Sequence, residues 1–281
     1  MKRILVPTDF SKCADYALKF ASEIAIKNNA KLLVLHSVEH SFAGGIDPTG
    51  ASVFQSFDDG LIETLLGRGR TNLDKSISSL GLPVENISHL VEIGHPSDLT
   101  IDKIREFSID LVVMGTHGAS GITEMLVGSN AEKVVRRAKC PVITLKSPTK
   151  LENIRKIAFA SDFSKLSENA MAALKRMQHV MDATIDFVRV NTPNNFQRDA
   201  LTKQHMDDLV TREMFLKAEL HVYNDFSEEE GLLNFAEDRQ SDMIGMITHG
   251  RTGLNHLMTG SIAEDVVNHT SIPVWTMRVP D

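Results

Sequence analysis

Two tandem α/β domains, each a doubly wound parallel sheet with helices on both faces, are what this sequence predicts, on three observations. The chain repeats itself: Ile4-Leu-Val-Pro-Thr-Asp9-Phe-Ser-Lys12 returns as Ile157-Ala-Phe-Ala-Ser-Asp162-Phe-Ser-Lys165, offset by 153, and that offset holds as far as His36 and Arg189. A second repeat, Thr116-His-Gly118 against Thr248-His-Gly250, is offset by 132, and 13 of the 29 positions from there to Thr144 and Thr276 are identical. The second copy is therefore shorter in its middle, and a period this long marks a duplicated domain rather than a solenoid unit. Within each copy, short apolar runs alternate with helix-spaced patterns, the signature of parallel strands covered on both faces. The expected domains are 1–146 and 153–281, with Ser147-Pro148-Thr149-Lys150 between them as a polar linker.

The elements of the first copy follow in order. Residues 3–8 are a buried-strand run, and 12–28 place Cys13, Ala17, Phe20 and Ile24 on one helical face. Leu32-Leu-Val-Leu35 is a second strand, and 56–80 a long helix carrying Leu61, Leu65, Leu66, Leu73 and Ile77. A third strand over 87–93, a helix over 97–107 and a fourth strand over Asp110–Met114 come next. A glycine-rich loop, a helix from about 130 to 138 and a last strand, Pro141–Leu145, complete the unit.

Composition narrows the function. Of the 281 residues, 42% are hydrophobic and 24% charged, which is globular rather than disordered. The longest apolar runs fall far short of the ~18 residues of a membrane span, and the opening Met1-Lys2-Arg3 reaches Asp9 too soon for a signal peptide. A cytoplasmic protein is expected. A net charge of −7 with both signs interspersed argues against a nucleic-acid partner, whose binding rests on neutralising phosphates. Cys13 and Cys140, the two cysteines, form neither a disulfide framework nor a metal-ligand spacing. His36 and His40 lack an evident acid or thiol partner, and no metal site is expected.

Ligands of open parallel sheets bind beyond the carboxyl ends of the strands. Two segments fall there: Pro7-Thr8-Asp9 after strand one, and the run from Gly115 to Asn130 after strand four, which contains His117, Gly118, Gly128 and Ser129 in a Gly-x2-Gly-x9-Gly-Ser spacing. Glycines allow a backbone to approach a ligand closely, and the free N–H groups of a helix start attract anions. The same residues admit a purely structural reading. Ser129-x-x-Glu132 and Ser261-x-x-Glu264 are capping-box patterns, Asp9 and Asp162 suit the turns into their helices, and His117 and His249 suit a surface loop.

These residues resemble the universal stress protein family. The strand-end Pro7-Thr8-Asp9, the glycine-spaced loop, and Ala131-Glu132-Lys133-Val134-Val135 before Cys140-Pro141-Val142 carry the resemblance, which extends along the whole chain and is similar to tandem members. It implies strand order 3-2-1-4-5 in each copy, with the two last strands antiparallel across a pseudo-two-fold axis, an internal pseudo-dimer that could dimerise further. It also implies ATP, with Mg or Mn, as ligand. By position Pro7, Thr8, Asp9 and Val38 would line adenine and ribose; Met114, Gly115, His117 and Gly118 the ribose and phosphates; Gly128, Ser129 and Asn130 the triphosphate. Asn130 departs from the small apolar residue common there.

The second copy keeps Asp162, His249, Gly250, Gly260 and Ser261 but has Ile247 for Gly115, Ala160 for Pro7 and Asn191 for Val38. A β-branched residue where backbone should touch nucleotide is an obstacle, so the first copy is expected to bind ATP and the second to bind weakly, to bind something else or to serve as a structural partner. No Gly-x4-Gly-Lys-Ser/Thr or Gly-x-Ser-x-Gly motif occurs, and residues 115–130 contain no Lys or Arg. A nucleotide-responsive regulatory protein with an unidentified protein partner is the leading expectation. An ATP-independent scaffold and a slow ATP-hydrolysing enzyme are the alternatives.

Overall fold

The computed structural model describes residues 1–39, 45–46, 52–53, 59–116, 128–163, 166–249 and 260–279. The first half runs β1 (Arg3–Thr8), α1 (Lys12–Asn28), β2 (Lys31–Val38), the two-residue strands β3 (Gly45–Ile46) and β4 (Ser52–Val53), α2 (Asp59–Ser78), β5 (Ile87–Ile93), α3 (Pro96–Glu106), β6 (Leu111–Gly115), α4 (Ser129–Arg137) and β7 (Val142–Leu145). The second half runs β8 (Lys156–Ala160), α5 (Glu168–Met181), β9 (Thr184–Asn191), α6 (Asp199–Glu213), β10 (Ala218–Asn224), α7 (Glu228–Asp238), β11 (Met243–His249), α8 (Gly260–His269) and β12 (Val274–Val279).

Continuous apolar runs become strands here because both sheet faces are covered. Ile4, Leu5 and Val6 are wholly buried, with Ile4 and Val6 packing on one side and Leu5 on the other. The main sheet has ten strands in the order β10-β9-β8-β11-β12-β7-β6-β1-β2-β5, so each half shows the 3-2-1-4-5 order among its five long strands. Pairing is parallel within each half. At the junction β7 and β12 run antiparallel, with Ile143 opposite Trp275. That tryptophan is 1% exposed and lies 6.5 Å from the Phe159 ring, so the seam between halves is core rather than surface.

One face of the sheet carries a core shared by both halves, where α1 and α5 touch and Phe20, Leu73, Met171 and Phe187 belong to one cluster. On the other face each half has its own core, Leu5, Leu35 and Val134 in the first, Val188, Leu232 and Val266 in the second. Local chemistry fixes the helix ends. Ser11 and Ser167 accept from the N–H groups of Ala14 and Ala170 as N-caps, and Asn29 (φ 48°) and Asp182 (φ 56°) take the left-handed conformation at the C-caps of α1 and α5.

The turn after the first strand of each half is built alike. Phe10 (φ 63°) and Phe163 (φ 58°) sit in the left-handed region, uncommon for an aromatic residue, with their N–H groups donating 3.1 Å to the Thr8 and Ser161 hydroxyls. This turn belongs to the fold, since both halves keep it.

One expectation changes in detail. The second strand extends to Val38 rather than ending at Leu35, because β5 pairs with it from Leu32 to Val38.

Candidate functional site

At the carboxyl ends of β1 and β6 lies a cleft of about 220 Å³. From β1 and the following turn come Pro7, Thr8 and Asp9; from β2, Leu35 and Ser37; from β6, Met114, Gly115 and Thr116. Pro96 at the start of α3 and Gly128 through Ala131 at the start of α4 complete the lining. The place is the switch point of the first half, where strand order reverses between β1 and β6.

Eight of the predicted residues thus converge on one cavity: Pro7, Thr8, Asp9, Met114, Gly115, Gly128, Ser129 and Asn130. Val38 is not among its lining. Residues of β2 alternate, so Leu33, Leu35 and Ser37 face the α3–α4 side while Leu32, Val34 and Val38 face the other. His117 and Gly118, and in the second half Gly250, lie outside the described residues. Ser37 is a lining residue that the sequence did not single out; strand alternation from Leu35 was the available signal.

The start of α4 differs from its expected cap. Gly128 (φ −60°, ψ 137°), not Ser129, is the N-cap, and no side chain caps the helix. Ala131 and Glu132 donate to the Gly128 carbonyl at 2.9 and 3.2 Å. The N–H groups of Ser129 and Asn130 have no acceptor among the described residues, and they stand at the positive end of the helix dipole. In the second half α8 already includes Gly260 and Ser261, so Ser261 likewise lies within the helix. Gly128 N–H donates 2.6 Å to the Thr116 carbonyl, and Thr116 N–H in turn donates to the Leu145 carbonyl at 3.1 Å. Residues 116 and 128 are thereby held together at the end of the sheet.

Gly115 has a packing reason that its motif does not state. A Cβ there would stand 2.7 Å from the Cys13 carbonyl carbon and 2.9 Å from the Ala14 nitrogen, so the first turn of α1 lies directly on the end of β6. Asp9 is exposed and accepts 3.0 Å from Ser11 N–H, which shapes the approach to α1. Beneath the cleft, His36 Nδ1 donates 2.9 Å to the Thr8 carbonyl and its ring packs 4.4 Å from Phe10.

In the second half the counterpart positions are apolar and buried. Ala160, Val188, Val190, Met246 and Ile247, which replace Pro7, Leu35, Ser37, Met114 and Gly115, are all no more than 5% exposed. A Cβ on Gly231 of α7 would come within 2.4 Å of the Val190 side chain, so that helix rests on the end of β9. Asp162 follows β8 as Asp9 follows β1, and its carbonyl accepts 3.0 Å from Arg189, the counterpart of His36. Arg189 is 4% exposed; burial lowers its pKa, opposed by the charges of Asp162 and Glu228. Asn191, in place of Val38, donates to the Gln197 carbonyl at 3.0 Å and so ties down the following segment.

A doubly wound α/β sheet written twice in one chain, with a crevice at the switch point of the first copy, defines a tandem doubly wound α/β protein. The chain belongs to the universal stress protein family, whose model matches residues 1–146 and again 153–278. Among its relatives, universal stress protein Slr1230 of Synechocystis is 24% identical over 99% of this chain and all of its own length. Universal stress protein MJ0531 of Methanocaldococcus jannaschii is 31% identical over 53% of this chain and 84% of its own. A universal stress protein of Archaeoglobus fulgidus has the same fold, with a TM-score of 0.74, 18% identity and 98% of each chain covered. No helix among the described residues is long and apolar enough to cross a membrane.

Proposed function

We propose that the first half binds ATP, with Mg or Mn, and that the protein acts in the cytoplasm as a nucleotide-responsive regulator of a protein partner. The observation that carries this reading is the cleft itself, whose floor is apolar at Leu35, Pro7 and Met114 and whose far wall is the uncapped start of α4. A purine suits the floor. A phosphate chain suits the Ser129 and Asn130 amides, with the Ser129 hydroxyl as a further donor. Asp9 at the rim is placed for a ribose hydroxyl, and His117 and Gly118 belong to the same site by their place in the motif.

The donor set also fits a divalent ion. Among the described lining residues there is one carboxylate, Asp9, and no Lys or Arg, so a triphosphate needs a metal to offset its charge. The same lack of cations argues for a binding protein rather than a phosphotransferase, which stabilises transferring phosphate with positioned charge. Any turnover is slow and incidental on this reading.

The second half serves as the structural partner of the first. Titration calorimetry of the full chain with Mg-ATP should give one site; two equal sites would refute the asymmetry, and none would refute the assignment. Hydrogen exchange should show added protection across 116–130 on binding, since a ligand shifts a conformation only through differential affinity.

A further inference from the structure

Toward the amino ends of β9 and β10, on the sheet face that α7 covers, three ligand-type side chains converge. Asp186 on β9 and Glu219 on β10 stand directly across from each other in the parallel register, and His221 lies two residues further along β10 on the same face. Their donor atoms all fall within 4.8 Å of one another. His221 Nε2 is 3.7 Å from Asp186 Oδ1 and 3.5 Å from Glu219 Oε2.

Asp186 is completely buried, yet its Oδ1 has no hydrogen-bond partner, and His221 Nε2 is buried and unpartnered beside it. Buried polar atoms left unpaired are costly, more so when charged, and two that face one another point to a missing third party. Arg239, just beyond α7, donates to Asp186 Oδ2 at 3.0 Å and to Glu219 Oε2 at 2.5 Å. It offsets one negative charge, holds both carboxylates in place, and leaves Oδ1 and Nε2 open.

The fold does not demand this cluster. In the first half the equivalent positions are Leu33, Ser88 and Leu90 on the paired strands and Phe107 in place of Arg239. The same architecture is built there without a charge.

We propose that Asp186, Glu219 and His221 form a binding site for a divalent transition-metal ion of the zinc class. One imidazole nitrogen and two carboxylate oxygens are borderline donors suited to such an ion. Bonds of about 2.0–2.2 Å at tetrahedral angles place ligand atoms roughly 3.3–3.6 Å apart, so the observed 3.5 and 3.7 Å require movements of a few tenths of an ångström. Arg239 acts as the outer-sphere group that orients the carboxylates.

The test is calorimetric titration of zinc chloride into the full chain, stripped with chelator and free of nucleotide, repeated with His221→Phe and Glu219→Gln. Phenylalanine keeps the ring packing on Phe235, whose centroid lies 5.2 Å away, and glutamine keeps the shape of a half-exposed side chain. Near-ultraviolet circular dichroism of the buried Trp275 reports that each variant is folded. One zinc per chain, weakened about 100-fold or more in both variants, is the expected result. Absence of saturable binding, or an isotherm unchanged in both folded variants, overturns the proposal. Cobalt in place of zinc should give the intense visible bands of a four-coordinate site in the parent and not in His221→Phe.

Discussion

The two halves have the same strand order, the same first turn and a common core, yet the fourth strand of the first ends in Gly115 where the second has Ile247. The difference is concentrated at one contact. Gly115 lets α1 begin at Lys12 and lie against the end of β6. Its counterpart Ile247 is 2% exposed, and α5 begins only at Glu168, three residues later than α1 by the repeat register. Residues 166 and 167, the counterparts of Cys13 and Ala14, are not yet helical. A side chain at the strand end has no room beneath a first helical turn, so the helix starts later where the side chain is present. A small residue at the strand end thus sets how closely the following helix can lie on the sheet.

Transplanting the second half's residue should break the comparison most severely. Gly115→Ile drives a branched side chain into the Cys13 and Ala14 backbone; we expect Mg-ATP affinity to fall at least about 100-fold and stability to drop about 1–3 kcal/mol. Calorimetry and urea denaturation read the two effects. Normal ATP binding by the Gly115→Ile variant would show that α1 yields easily and that the halves differ for another reason.

Ser129→Ala sharpens the reading of the helix start. A hydroxyl that contacts phosphate is worth about 1 kcal/mol, so affinity should fall about five-fold. Stability should hold within about 0.5 kcal/mol, because Gly128 is the N-cap and no side-chain cap is lost. Were Ser129 the cap, the melting curve would record a loss of about 1 kcal/mol instead.

The smallest effect uses the cysteines. Burial pushes the Cys140 thiol up to about 12, so at pH 8 about one molecule in ten thousand carries a thiolate there, and iodoacetamide should leave it unmodified. Cys13 is half-buried in the first turn of α1, its thiol donating to the Lys146 carbonyl at 3.6 Å. Peptide mass mapping should find label on Cys13 alone, added several-fold faster in Gly115→Ile as that turn is displaced.

Much of this was legible in the residues. The bounds of β1, β5 and α1 follow from apolar runs and from helix-spaced apolar residues, because those signals are local. The cleft residues were found through the glycine spacing and the strand-end position. The misreadings were geometric. Ser-x-x-Glu spacing fits a cap at Ser129, but Gly128 already holds extended dihedrals, which moves the helix start by one residue. Val38 shares a strand end with the cleft but faces away from it by the two-residue alternation.

By itself the sequence determined the duplicated doubly wound architecture, the family and the segment that lines the switch point, since hydrophobic period, repeat register and glycine spacing are properties of neighbouring residues. Only the tertiary structure decided that Gly115 serves a helix contact, that the Ser129 and Asn130 amides have no acceptor among the described residues, and that Asp186, Glu219, His221 and Arg239 meet. Those facts depend on strands and helices far apart in the chain, and distance along the chain carries no record of which side chains the sheet brings face to face.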